Sequence, residues 1–153
     1  MEVLLRSPMP SDSNVLFAWR TDPEVNHFSK RNNGFLKSEH EDWFRARCSR
    51  IHREPFWIAI SENHPIGFIR FDLKPGGDYL ELSYLVDSSF RGLGLGAKII
   101  RLALGTETMK ECSFPISAIC HSQNLASMKT LKRLDFEEVG MSGDFMKFIL
   151  VRA

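Results

Sequence analysis

Cysteine is scarce in this chain. Cys48, Cys112 and Cys120 are the whole complement, odd in number and without the close spacing of a metal site or a disulfide framework. Such a set suits a reducing compartment, with the thiols buried and inert, and no metal is expected. Long apolar runs are lacking too; the longest are a few residues, too short to span a bilayer, so no membrane partner is expected. The first residues, Met1 to Pro8, have no basic start followed by an apolar stretch, which argues against a secretory signal and for a cytoplasmic location. Strong charge of either sign is also missing. The net charge of +1 gives no global field for nucleic acid. Repeats, low-complexity tracts and long linkers are absent as well, so residues 1–153 read as one domain, large enough to bury a core.

What is present is an ordinary globular balance, 43% apolar and 25% charged. Val3-Leu4-Leu5 before Ser7-Pro8 predicts a short strand. Ser11 to Asn14 offer N-caps for a helix through Val15, Leu16, Phe17 and Trp19, interrupted at Asp22-Pro23. Ser38 and Glu41 have capping-box spacing and open a second helix with Trp43, Phe44, Cys48 and Ile51 on one stripe. After Pro55 the period changes. Phe56–Ile60, a turn at Glu62-Asn63-His64-Pro65, Ile66–Phe71, a turn at Pro75–Asp78 and Tyr79–Val86 predict a three-strand meander. In the last strand Leu80, Leu82, Tyr84 and Val86 alternate with Tyr79, Glu81, Ser83 and Leu85. A helix with Leu95, Ile99, Leu102, Thr106 and Met109 follows, then a strand from Ile116 to Cys120. A fourth helix, capped by Ser122 or Asn124, carries Leu125, Met128, Leu131 and Leu134; a hairpin of Phe136–Val139 and Phe145–Val151 closes the chain. The order β-α-α-β-β-β-α-β-α-β-β describes an α/β mixed sheet with helices on both sides.

Between the meander and the third helix lies Arg91-Gly92-Leu93-Gly94-Leu95-Gly96-Ala97. Glycines let backbone approach a ligand closely, and the amides of a helix N-terminus point outward with the positive end of the dipole. That combination suits a pyrophosphate, and Arg91 adds a cation. A Walker A loop would need Gly-Lys-Ser/Thr, but the chain reads Gly96-Ala97-Lys98-Ile99. A dinucleotide fingerprint would want an acid at the end of the next strand, which ends here in Cys120-His121. A turn with no ligand is the plain alternative, though three alternating glycines exceed what a turn requires. From Arg91 to Arg133 seven basic residues face two acids, a local excess suited to a small polyanion.

Arg91-x-x-Gly94-x-Gly96 resembles the acetyl-CoA signature of the GNAT acetyltransferases. Glu81-Leu82-Ser83-Tyr84-Leu85-Val86 resembles that family's fourth strand, and Asn124-Leu125-Ala126-Ser127 with Leu134-Asp135-Phe136 resembles its closing pattern. The resemblance covers most of the chain. It implies the GNAT fold, a mostly antiparallel sheet with splayed fourth and fifth strands flanked by four helices, and acetyl-CoA as cosubstrate. Leu85 and Val86 would then meet the pantetheine arm through their main chain, residues Arg91, Gly92, Leu93, Gly94, Leu95, Gly96 and Ala97 would hold the pyrophosphate, and Asn124 and Ser127 would lie near the acetyl end. Two positions depart from the pattern. Leu131 stands where related sequences often carry a Tyr that protonates the departing thiolate, and Asp135 replaces a glycine.

The acceptor amine must be neutral to attack, so a base is needed. By its match to a carboxylate in related enzymes Glu81 is the candidate, with His40 and His121 in reserve. Trp19-Arg20-Thr21-Asp22-Pro23-Glu24-Val25 and His40-x-x-Trp43-Phe44 resemble the N-terminal half of the amino-sugar-nucleotide N-acetyltransferases of pseudaminic and related nonulosonic acid pathways, with Thr21 in place of their Asn. The resemblance implies a UDP-linked 4-amino sugar as acceptor. Trp19 or Trp43 would stack on a uracil or sugar face, Arg20 would meet a phosphate, and His40 would join the acceptor site; Trp43 also reads as helix-face core. Lys30, Arg31, Arg45 and Arg47 could supply a cationic patch or simply solvate helices. A RimJ/RimL-like protein N-terminal acetyltransferase or a small-amine acetyltransferase is the alternative within the class. A non-catalytic acyl-CoA-binding module is the alternative outside it. A homodimer is compatible with either.

Overall fold

The structure, a computed structural model, describes residues 1–29 and 36–152. Seven strands form one sheet: β1 (Leu4–Arg6), β2 (Phe56–Ser61), β3 (His64–Leu73), β4 (Leu80–Val86), β5 (Ile116–His121), β6 (Phe136–Ser142) and β7 (Phe145–Leu150). Their spatial order is β1-β2-β3-β4-β5-β7-β6, and β4–β5 is the parallel pair among antiparallel neighbours. It is the mixed sheet expected from the order of elements, in the arrangement that the resemblance implied. The β2–β3 turn is tighter than the sequence suggests. Glu62 and Asn63 alone make it, at φ 51° and 67°, so His64 and Pro65 already belong to β3.

The helices are α1 (Asp12–Arg20), α2 (Pro23–His27), α3 (Lys37–Cys48), α4 (Leu95–Leu104), α5 (Glu107–Lys110) and α6 (Leu125–Arg133). Asp22 caps α2 by accepting from the Glu24 amide at 2.9 Å, which explains why Asp22-Pro23 starts a helix as well as stopping one. At α3 the Ser38/Glu41 box does not form. The helix begins two residues earlier, with Leu36 as N-cap, and Glu39 reaches back to the Leu36 amide at 3.3 Å. The expected single helix through Met109 is two: α4 is capped at Gly105, and Thr106 Oγ1 accepts from the Met109 amide to start α5. Within α4, Leu102 is exposed while Ile100 and Ala103 are buried. After α6 the chain turns through Asp135 at φ 69°, a left-handed position where Asp is better tolerated than most residues.

Each face of the sheet has its own core. Leu82, Ile99, Ile100, Leu131 and Phe148 pack on one side with α4 and α6; Leu16, Trp19, Phe44, Phe56, Phe68 and Leu85 pack on the other with α1 and α3. The alternation in β4 thus feeds both layers. Trp43 packs beside the second core against Phe56. Arg47 is fully buried, and donates to the Glu54 and Phe71 carbonyls and to Asp72 at 2.7, 3.0 and 2.8 Å. It ties α3 to β3 and belongs to no surface patch.

Candidate active site

The ladder between β4 and β5 pairs Leu80 with Ile116, Glu81 with Ser117 and Leu82 with Ala118, and ends there. Residues 83–86 stay in register with β3 alone, so their other edge faces a cleft. That cleft opens into a cavity of about 650 Å³. Beyond the last β4–β5 pair, β5 stays paired with β7 through His121, while β4 stays paired with β3 through Val86.

The glycine loop forms one end of the cavity. Gly94 is the N-cap of α4 at φ 73° and Gly92 lies at φ 80°; around both, the space a Cβ would enter is open. The first-turn amides of α4 have no partners within the helix and sit at the cavity wall with Leu95, Gly96 and Ala97. Such a cradle fits a pyrophosphate. Leu93 is at the loop tip with its side chain exposed, and is not among the lining residues. Arg91 lines the cavity, but its guanidinium is engaged. Nε donates to the Val86 carbonyl at 3.0 Å, Nη1 to Glu24 at 2.7 Å, and Nη2 lies 3.6 Å from Asp22. Leu85 and Val86 line the splayed edge, and Asn124 caps α6 by accepting from the Ser127 amide. The Ser127 hydroxyl lies 2.9 Å from that of Tyr84.

Arg20, Phe68, Arg70 and Glu81 also line the cavity. Glu81 is mostly shielded, with Lys74 Nζ 3.5 Å away. Arg20 and Arg70 both lie within cation–π range of Trp43, at 4.2 and 5.2 Å from the ring centroid. Arg70 is also bonded to Asp72, yet its Nε is buried and has no hydrogen-bond partner among the described residues. Burial pulls the Arg70 pKa below its ordinary value, opposed by Asp72, and the group stays cationic.

Two residues expected at the acceptor site lie off the cavity wall. Trp19 is buried and does not line the cavity; its indole Nε1 donates to Asp87 Oδ2 at 2.7 Å and its ring packs on Phe68. It anchors α1 to the start of the glycine loop. Burial alone would raise the Asp87 pKa, but the bonds from Trp19 and the Ser89 amide outweigh it and hold the carboxyl low. His40 is likewise buried and absent from the cavity wall. Arg20 can only donate, so Nδ1 of His40, 3.1 Å from Arg20 Nη1, must accept; Nε2 then carries the proton and donates to the Ser13 carbonyl at 2.8 Å. Burial holds the His40 pKa below its usual value, consistent with this neutral tautomer. His40 therefore cannot serve as the base; it sets the direction of Arg20. His121 does line the cavity, between Phe28 and Phe145.

Of the proposed cationic patch, Arg45 is exposed and paired with Asp42, Arg47 is structural, and Lys30 and Arg31 lie outside the described residues. The residues that sequence reasoning did not single out are Arg70 and Tyr84. Arg70 was findable, because it shares a strand face with Phe68 and Asp72 and stands opposite Ser83. Among the described residues no group of three or more His, Cys, Asp or Glu side chains could hold a metal ion, and no helix is long and apolar enough to cross a membrane.

Solved structures with this fold include a domain from Methanocaldococcus jannaschii, 20% identical over 97% of both chains with a TM-score of 0.83. RimL, a ribosomal L7/L12 alpha-N-protein acetyltransferase in complex with coenzyme A, is 15% identical over 97% of this chain and 93% of that one, TM-score 0.81. AAC(6')-Ib in complex with ribostamycin and coenzyme A is 15% identical over 99% and 94%, TM-score 0.79. At these identities the likeness is one of fold. Residues 2–137 match the family described as the acetyltransferase (GNAT) domain, and the chain belongs to that family. It is an N-acetyltransferase that uses acetyl-CoA.

Proposed function

We propose that this enzyme transfers acetyl from acetyl-CoA, by direct attack, to the amine of an acceptor that also carries an anionic group. The reference acceptor is a UDP-linked 4-amino-dideoxy sugar. The observation that supports this is the pair Arg20 and Arg70, which line the cavity and lie beside Trp43. Arg70 has a donor to spare in Nε, and an orphaned buried donor costs about 1–3 kcal/mol until something accepts from it. A phosphate or carboxylate suits two guanidiniums; a polyamine would meet like charge.

In this reading the loop amides and Gly92, Gly94, Gly96 and Ala97 hold the pyrophosphate. The open edge of Leu85 and Val86 takes the pantetheine arm, with Asn124 and Ser127 near its far end. Arg91 turns from Glu24 toward phosphate when the cosubstrate binds. Glu81, on the acceptor side of β4, takes the ammonium proton directly or through water, so that the neutral amine attacks the thioester carbonyl.

An acceptor screen measured by thiol release tests this. Turnover of the amino sugar nucleotide well above that of N-terminal peptides supports it. Robust turnover of peptides with none of the sugar nucleotide would replace it with protein N-terminal acetylation.

A further inference from the structure

We infer that Tyr84 is the group that protonates the departing CoA thiolate. The inference concerns the acetyl-transfer step itself and does not depend on which amine is the acceptor. In related sequences a Tyr on the last helix often fills this role, and here that position is Leu131, which is buried and apolar. The cavity wall around Leu131 still contains a phenol, supplied from the facing strand. Tyr84 lies two residues beyond the last β4–β5 pair, where the strands have parted, and lines the cavity with Ser127, Thr130 and Leu131.

Three contacts fix it. The hydroxyl is 2.9 Å from Ser127 Oγ on α6. One edge of the ring lies against Gly96, so close that a Cβ there would stand 3.0 Å from a ring carbon. Across the sheet its register partner is Ile69 of β3. The glycine of the pyrophosphate loop and the phenol are thus packed together, and a bound cosubstrate would be set against both. The other tyrosine, Tyr79, lies under Lys147 and lines no part of the cavity.

The chemistry balances. The amine nitrogen, having lost one proton to the base, forms a bond to the thioester carbonyl carbon and gives up its second proton to solvent from the tetrahedral centre. As the tetrahedral centre collapses the C–S bond breaks, its electron pair goes to sulfur, and the sulfur takes the proton from Tyr84 Oη. The phenolate is neutralised by a proton from solvent relayed through Ser127. Burial raises the phenol pKa above its ordinary value, with the Ser127 bond opposing and the Cys120 thiol of β5 adding to the rise, so the proton is in place at neutral pH. Cys120 is the ionisable group acting on it; α6 presents Ser127 and Thr130, and α4 presents Gly96.

The test is Tyr84→Phe in the full chain, read three ways. Expected is a fall in kcat of about 10²-fold, with acetyl-CoA affinity by calorimetry within about twofold of wild type and the alkaline limb of the kcat profile lost. Leu131→Tyr added to Tyr84→Phe should recover part of the rate, because it restores a phenol from the helix side. Tyr labelled with ¹³C at Cζ gives one signal each for Tyr79 and Tyr84 in the wild-type chain, and the Tyr84 signal should shift when CoA binds. A Tyr84→Phe enzyme with wild-type kcat and pH profile would overturn the inference, as would a Tyr84 signal indifferent to CoA. Should the variant fold poorly, the labelled wild type decides alone.

Discussion

His40 Nδ1 accepts a hydrogen bond from Arg20 Nη1 at 3.1 Å, and this contact fixes both the proton on the ring and the direction of the guanidinium. Protonation would turn Nδ1 into a donor facing a cation. The folded-state pKa is depressed by burial, so the unfolded chain takes up the proton first as pH falls. The stability His40 contributes is thus present above the unfolded value of about 6.5 and is lost as pH drops through the folded one. Unfolding midpoints should fall on acidification through this range, and His40→Gln should flatten the dependence. An unchanged slope in the variant would assign the pH sensitivity elsewhere.

Gly94→Asp tests the loop. At φ 73° an Asp is tolerated better than most residues, and the space around the site is open, so the fold should survive. The new carboxylate would face the pyrophosphate as a like charge. Calorimetry should show acetyl-CoA binding weakened at least about 10²-fold, some 2.7 kcal/mol; equal affinity would remove the loop from the cosubstrate site.

Arg47→Ala tests the structural reading of a residue that first looked like part of a basic patch. Removing it takes one partner from the Asp72 carboxylate and a donor from each of the buried Glu54, Pro55 and Phe71 carbonyls. A loss of about 3–5 kcal/mol in denaturant unfolding is expected. A variant as stable as wild type would contradict this.

How far the sequence could be read follows from the range of each signal. The meander and hairpin were legible because a period of two is local, and the glycine loop because its φ values belong to the glycines themselves. The break at Gly105 was hidden because Leu102, Thr106 and Met109 keep helical spacing across two helices. Trp19 and His40 were placed in the acceptor site on resemblance alone. Their burial depends on Phe68, Asp87 and Ser13, which are remote in sequence, and no local pattern reports that. Arg20 lines the cavity and its neighbour Trp19 does not, because the two adjacent residues point in different directions from α1.

Glu81→Gln tests the base. Shape and acetyl-CoA binding should be kept while kcat falls by about 10²–10⁴-fold. Raising the pH should partly rescue the variant, because more amine arrives already neutral. A rate and pH profile matching wild type would make Glu81 a strand carboxylate paired with Lys74, and His121 or bound water the base.

The most direct measurement compares two acceptors that differ only in their anionic group: a 4-amino sugar with its nucleotide diphosphate, and the same sugar without it. Under saturating acetyl-CoA, thiol release should give the phosphorylated acceptor a kcat/KM at least about 10²-fold higher, since two charge-assisted contacts are each worth roughly 1.5–3 kcal/mol. Arg20→Ala and Arg70→Gln should each shrink that ratio chiefly by raising KM for the phosphorylated acceptor. Equal kcat/KM for the two sugars in the wild-type enzyme would contradict an anion-reading acceptor site.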